Sequence, residues 1–184
     1  MENLDKTSSQ EKEYFSNTSF VTTPEQASSF IVLTVGGEFF AVEIGRVREI
    51  IRLPAITWLP GAPASIKGIV NLRGVVVAVV DLAVLFSHSQ LEIEPKSRIV
   101  IVESAGASVG LLVEEVIGVE EIPASSQEAA MRTLDESQHS FISAQSDLRG
   151  KMTGILDIDG LVEQARPAES RSTGVIQVNR QMGV

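Results

Sequence analysis

The sequence contains the same pattern of strands and turns twice, and this internal repeat limits the possible folds more than any other feature. The matching segments lie on the two sides of a polar stretch at residues 87–97, and they follow the same order in each half. Four pairs define the repeat: Ile31-Val32-Leu33 with Ile99-Val100-Ile101, Ala41-Val42-Glu43-Ile44 with Gly110-Leu111-Leu112-Val113, Asn71-Leu72-Arg73-Gly74 with Asp147-Leu148-Arg149-Gly150, and Val79-Val80-Asp81-Leu82 with Ile155-Leu156-Asp157-Ile158.

This duplication predicts two similar β-barrels that lie side by side. Each would contain about 60 to 70 residues, and a chain of that length buries only about 60% of its surface. We therefore expect the two halves to share a core, with a groove between them where a partner can dock. Residues 87–97 are predicted to be the linker.

The stretch from Gly68 to Leu82 shows the strand pattern most clearly. Two β-branched runs flank the turn Asn71-Leu72-Arg73-Gly74, which predicts a strand, a tight turn and a second strand. Residues 75–80 are all apolar, so both faces of the second strand are expected to be covered. Asp81 follows this run and is predicted to cap a short helix.

Arg73 lies in that turn, between two predicted strands that are largely apolar. Its side chain is expected to point into solvent, to pair with a carboxylate such as Asp81, or to contact a partner. A guanidinium held on a rigid turn is well suited to an interface. The residues alone leave these three possibilities open.

The ordered part of the first half is expected to begin with a β-hairpin at residues 30–44, whose turn is Gly36-Gly37. From Ile44 to Ile51 the apolar residues have helical spacing, and Pro54 ends the pattern, so we predict a short helix there. Trp58, the only tryptophan, is expected to fill the core rather than to bind a partner.

Three polar segments are expected to lack strands. Residues 1–29 and 166–184 have no apolar periodicity, and we predict that they are disordered tails. Residues 125–140 are polar and charged, and we expect a loop or a weak helix there.

The acidic charge limits the possible partners. The formal net charge is -9, and residues 30–165 hold 18 Asp and Glu against 10 Lys and Arg, which gives -8. A barrel that binds nucleic acid, or a protein that binds anionic membranes, needs clustered basic residues, so proteins or small molecules are the expected partners. No apolar run approaches the roughly 18 residues of a membrane span, and we expect a cytoplasmic protein.

Patterns typical of enzymes and metal sites are missing from the sequence. His88 and His139 have no partners at metal-ligand or catalytic spacing, and no cysteine is present. The paired glutamates at 114–115 and 120–121 are expected on a solvated face, and the segment Asp157 to Gly160 fits a helix start better than a calcium loop. A hydrolase or transferase on a β-barrel is the weaker alternative, and no cofactor or metal is expected.

Two segments resemble the CheW family of chemotaxis coupling proteins. They read F-I-V-L-T-V-G-G-E-F-F-A-V-E-I-G-R-V-R-E-I at residues 30–50 and I-K-G-I-V-N-L-R-G followed by V-V-D-L within residues 66–82. The resemblance extends to about Val162. It implies a mostly β fold of two SH3-like five-stranded β-barrel subdomains packed side by side with short helices, the first at about 30–90 and the second at about 97–165.

The resemblance also implies a function without enzymatic activity. Proteins of this family are adaptors that couple the cytoplasmic hairpin tip of transmembrane chemoreceptors to the regulatory domain of a CheA-type histidine kinase. They are cytoplasmic and are recruited to receptor arrays at the inner membrane without inserting into it. The sequence departs from the family pattern at Ala78, at Ala83 and in the segment Asp147 to Lys151, which stands in place of a glycine-rich turn. These departures and the long tails leave an alternative, a CheW-like regulator of pilus-based motility or phototaxis outside a standard chemoreceptor array.

By position, the receptor-contacting residues of the family fall on Val47, Glu49, Gly68 and Arg73. Charges of opposite sign on Glu49 and Arg73 would set the register of a small interface. Val47 would supply an apolar anchor, and Gly68 would mark a place where two backbones approach closely.

Overall fold

Two β-sheets and two short helices form the part of the chain that the structure, a computed structural model, describes: residues 27–86, 88–129 and 141–166. The predicted mostly β fold is confirmed. Both predicted tails fall largely outside the described residues, as do Ser87 and residues 130–140. Strand β1 starts at Ala27, where it pairs with Pro123, so residues 27–29 of the predicted N-terminal tail belong to a strand.

The strands follow one another in the order β1 (Ala27–Val35), β2 (Glu38–Glu43), β3 (Val47–Arg52), β4 (Ile66–Leu72), β5 (Val75–Asp81), β6 (Arg98–Ser104), β7 (Ala107–Val113), β8 (Glu115–Pro123), β9 (Glu128–Ala129), β10 (Ile142–Leu148) and β11 (Lys151–Leu156). Helix α1 (Leu82–Leu85) follows β5, and helix α2 (Ile158–Ala165) follows β11. Short 3-10 turns occupy Ile44–Arg46 and Ala124–Ser126.

Each sheet combines strands from both repeats. The first sheet has the order β8-β1-β2-β11-β10-β9, and the second has the order β3-β6-β7-β5-β4. The hairpin β1–β2 therefore lies among strands of the second repeat, and its counterpart β6–β7 lies among strands of the first. Parallel pairing of β2 with β11 and of β5 with β7 joins each hairpin to strands of the other repeat. The two predicted subdomains, at about 30–90 and 97–165, thus correspond to the two repeats along the chain and not to the two sheets.

A core shared by both repeats lies where the sheets and helices meet, as the sequence predicts. Leu33 of β1, Val79 of β5 and Ile101 of β6 are fully buried in one apolar cluster, together with Leu161 of α2. Burial of side chains of this size is worth roughly 1.5 to 3 kcal/mol each, so the shared core contributes to the stability of both repeats.

Two aspartates cap the helices, which confirms the prediction for Asp81. The fully buried Asp81 carboxylate accepts hydrogen bonds from the backbone N–H of Ala83 at 3.1 Å and of Val84 at 3.4 Å. Lys67 Nζ lies 3.4 Å from its other oxygen. Asp157 occupies the equivalent place before α2 and accepts from Gly160 N at 3.2 Å, so this segment is a helix start, as predicted, and not a calcium loop.

The predicted short helix from Ile44 to Ile51 is wrong. After the 3-10 turn the chain forms strand β3, which pairs antiparallel with β6, and its residues alternate between half-buried and exposed. Val47 and Ile51 pack on the core from one face of this strand. The three apolar residues of β3 are all β-branched, which favours the strand, and the exposed backbone of β6 supplies its hydrogen bonds.

Two predictions of burial are also wrong. Val75 and Val76 point to opposite faces of β5 and are both exposed, so neither face of this strand is covered at its start, although Val77, Val79 and Val80 are buried. Trp58 does not fill the core: 71% of its surface is exposed. It lies in the irregular segment between β3 and β4, which is attached to β4 by the backbone pair Thr57–Ile69.

Candidate docking site

The turn between β4 and β5 is a tight two-residue hairpin that holds Arg73 at its tip. Arg73 and Gly74 have φ angles of 52° and 88°, and Leu72 pairs directly with Val75. Positive φ at both central residues is the requirement of a type I′ turn, the turn whose twist matches that of paired strands. The side-chain oxygen of Asn71 accepts from Gly74 N at 2.8 Å, which fixes the turn further.

Arg73 forms an ion pair with Glu49 of β3. The distance from Arg73 Nη2 to Glu49 Oε2 is 3.0 Å, and 81% of the arginine side chain is exposed against 20% of the glutamate side chain. Of the possibilities left open by the sequence, pairing with a carboxylate is therefore found, but the carboxylate is Glu49 and not Asp81, which caps α1 and contacts Lys67. A guanidinium carries five N–H donors, so Arg73 can hold Glu49 and still contact a partner.

The ion pair also connects the two ends of the second sheet. β3 lies at one end of the strand order and β4 at the other, so the sheet must curl for the β4–β5 turn to reach β3. The result is a rigid arginine placed beside an edge strand.

The other two predicted residues occupy different environments. Val47 lies on β3, two residues before Glu49, and is half-buried against the core. Gly68 is buried on β4 with a φ angle of 149°, and a Cβ atom added there would lie 2.3 Å from the backbone oxygen of Thr57. The structure brings Glu49 and Arg73 into contact and leaves part of Val47 accessible, whereas Gly68 lies beneath the segment that carries Trp58.

Two exposed valines, Val75 and Val76, adjoin the arginine turn and were missed by the sequence prediction. Val76 exposes 64% of its surface. A signal for its orientation was present, since Val76 pairs directly with the polar, exposed Asn71, and residues opposite one another share a face of the sheet. We call Val47, Glu49, Arg73, Val75 and Val76 together the Arg73 face.

The described residues offer little for other kinds of site. Within 27–86, 88–129 and 141–166, no group of three or more His, Asp or Glu side chains is placed to hold a metal ion. Glu114, predicted to be solvated, instead accepts from the backbone N–H of Gly36 at 2.9 Å and so holds the β1–β2 turn. In the same part of the chain, no helix has the length and apolar character needed to cross a membrane.

Comparison with known proteins agrees with the fold. A family model described as a CheW-like domain matches residues 29–166. Protein PilI of Pseudomonas aeruginosa is 30% identical over 117 residues, which cover 64% of this chain and 66% of PilI. Chemotaxis protein CheW of Klebsiella aerogenes is 26% identical over 139 residues, which cover 76% of this chain and 84% of that protein.

A solved structure shows the same architecture. The crystal structure of scaffolding protein TtCheW from Thermoanaerobacter tengcongensis aligns with a TM-score of 0.68 and 29% sequence identity, and the match covers 72% of this chain and 90% of that one. Since the family model spans both sheets and both helices, this chain belongs to the CheW-like family of chemotaxis adaptor proteins.

Proposed function

We propose that this chain couples transmembrane chemoreceptors to a CheA-type histidine kinase, and that the Arg73 face receives the receptor. In this proposal the receptor's cytoplasmic hairpin tip contacts Arg73, Glu49 and Val47, while the regulatory domain of the kinase binds elsewhere on the two sheets. The adaptor works in the cytoplasm at receptor arrays and carries out no reaction of its own.

The observation that carries this proposal is the exposed guanidinium on a rigid turn. An exposed ion pair contributes only about 0 to 1 kcal/mol to stability, so Arg73 is not explained by what it adds to the fold. Its turn has already lost its conformational freedom, which lowers the entropic cost of binding a partner. The exposed Val75 and Val76 add apolar surface next to the charge, the combination found in the centre of many interfaces.

Signal transfer needs only differential binding. If two receptor states bind the Arg73 face with different affinity, the adaptor shifts the kinase between its active and inactive arrangements. The coupling free energy equals the difference between the two binding free energies. Each contact can be individually weak, because assembly in an array raises the effective concentration of every partner.

The first test replaces Arg73 by glycine. Glycine adopts positive φ without strain, so Arg73→Gly keeps the turn and removes the side chain with its guanidinium. We expect binding of a receptor cytoplasmic fragment to weaken by about tenfold or more at this face, which corresponds to about 1.4 kcal/mol, with little change in thermal stability. Binding is measured by isothermal titration calorimetry.

The matched control is Arg48→Ala, which removes one positive charge from β3, the strand that carries Glu49. Arg48 is exposed on β3, and its side chain alternates with that of Glu49. We expect binding to change by less than about threefold, because an exposed charge outside the contact acts only through screened long-range attraction. Equal losses in both variants would mean that net charge, and not the Arg73 face, controls binding.

The similarity to PilI favours a second candidate, a CheW-like regulator of pilus-based motility. A regulator of phototaxis outside a standard chemoreceptor array is part of the same alternative. The kinase and receptor that co-purify with the tagged full-length chain from its own cells, identified by mass spectrometry, distinguish these pathways.

A further inference from the structure

The second repeat presents an arginine turn with the same geometry as the first. Arg149 and Gly150 have φ angles of 56° and 79°, and Leu148 pairs directly with Lys151, so the β10–β11 turn is again a tight two-residue hairpin. The side-chain oxygen of Asp147 accepts from Gly150 N at 2.6 Å, as Asn71 does in the first turn.

The surroundings of this turn also match. Arg149 Nη2 lies 3.0 Å from Glu120 Oε1, and the arginine side chain is 82% exposed. Glu120 lies on β8, the edge strand that corresponds to β3. Met152, the repeat counterpart of Val76, exposes 61% of its surface. We call Glu120, Arg149 and Met152 the Arg149 face.

A purely structural role does not account for arginine at this position. Glycine or asparagine is favoured where a hairpin turn needs positive φ, and arginine is strained there. The ion pair that Arg149 gains is exposed, and exposed pairs stabilise proteins weakly. The paired glutamates come from different positions along their strands, since Glu49 pairs with Ile101 and Glu120 pairs with Phe30, the counterpart of Arg98. The common feature of the two turns is therefore the outward guanidinium itself.

We propose that the Arg149 face is a second docking site for the receptor hairpin tip, so that one adaptor chain binds two receptor fragments. This inference rests on the proposed function, because it assigns the same occupant to both faces. Each offers a cation on a rigid turn with an exposed apolar side chain beside it, and each suits a helical segment that presents a carboxylate next to apolar residues. The two turns belong to different sheets, so neither needs the residues of the other.

The test is the stoichiometry of binding of the full-length chain. The probe is the purified cytoplasmic hairpin fragment of a chemoreceptor from the same genome, titrated by isothermal titration calorimetry. We expect two fragments per wild-type chain. Arg149→Gly and Arg73→Gly should each keep one site of wild-type affinity and weaken the other by about tenfold or more, and the double variant should weaken both. Met152→Ser leaves the turn untouched and is expected to weaken the second site at least threefold.

The outcomes separate this inference from the proposed function. One fragment per wild-type chain, lost in Arg73→Gly and unchanged in Arg149→Gly, overturns the second site and leaves the proposed function standing. No binding by the wild-type chain overturns both. If Arg149→Gly instead weakens binding of the kinase regulatory domain at unchanged receptor stoichiometry, the Arg149 face belongs to the kinase and the inference is wrong.

Discussion

Replacing Asp81 by alanine is expected to lower the free energy of unfolding by about 3 kcal/mol. The Asp81 carboxylate is fully buried, caps two backbone N–H groups of α1 and lies 3.4 Å from Lys67 Nζ. Its removal leaves those donors and the ammonium group without their partner. Breaking a buried ion pair costs about 3 to 5 kcal/mol, and we expect the lower end because Lys67 keeps access to water. Urea unfolding followed by circular dichroism measures the change.

The repeat provides a matched control in Asp157→Ala. Asp157 caps α2 through a hydrogen bond to Gly160 N and is only half-buried, so its loss should cost about 1 kcal/mol, the usual value for a cap. Asp81→Asn keeps an oxygen for the cap and removes the charge, which separates the two contributions at Asp81. A loss in Asp81→Ala no larger than that in Asp157→Ala would show that the contact with Lys67 contributes nothing.

Much of the fold follows from local sequence, because strands and tight turns have local causes. The β-branched runs at 75–80 and 99–102 predict strands that the structure contains, and the turns at Gly36-Gly37 and Arg73-Gly74 lie between paired strands. Asp81 is a predicted cap because its position, directly after an apolar run, requires an acceptor for free backbone donors.

The exchange of hairpins has no local cause and could not be predicted. In the repeat, β1 and β6 have nearly the same sequence pattern, so β3 and β8 can each pair with either one. The strand pattern alone is compatible with either pairing. Which one forms depends on the connections and on the packing of the whole chain, neither of which is visible in a strand pattern.

The docking site was predictable only in part. Helical spacing and strand alternation both fit a segment as short as Val47–Arg52, so its type was decided by pairing with β6. Glu49 and Arg73 were placed by the resemblance, and their contact across the sheet could not be derived from residues 24 positions apart. The exposure of Val76 was indicated only by its cross-strand partner Asn71.

The second large effect is expected at Gly68. Replacement by alanine should lower the free energy of unfolding by roughly 2 to 4 kcal/mol. The new Cβ atom would lie 2.3 Å from Thr57 O and 2.8 Å from Ile56 Cγ2, and the φ angle of 149° disfavours any side chain. The segment that carries Trp58 must move away, which breaks the two 2.8 Å hydrogen bonds between Thr57 and Ile69. Thermal unfolding measures the loss, and faster amide hydrogen exchange at Ile69 locates it.

Gly118→Ala controls for the backbone conformation at Gly68. Gly118 lies on edge strand β8 with a φ angle of 159°, and among the described residues none beyond its two chain neighbours has an atom within 4 Å of the Cβ position. Its substitution should therefore cost about 1 kcal/mol, the low end for backbone strain, because no side chain has to move. The comparison also decides how Gly68 serves the receptor, since a buried glycine can act only through the position of β4 and its turn. Suppose that Gly68→Ala keeps full stability and normal amide exchange at Ile69 but loses receptor binding. Gly68 then contacts the receptor directly, and the segment that carries Trp58 does not cover it when the receptor is bound.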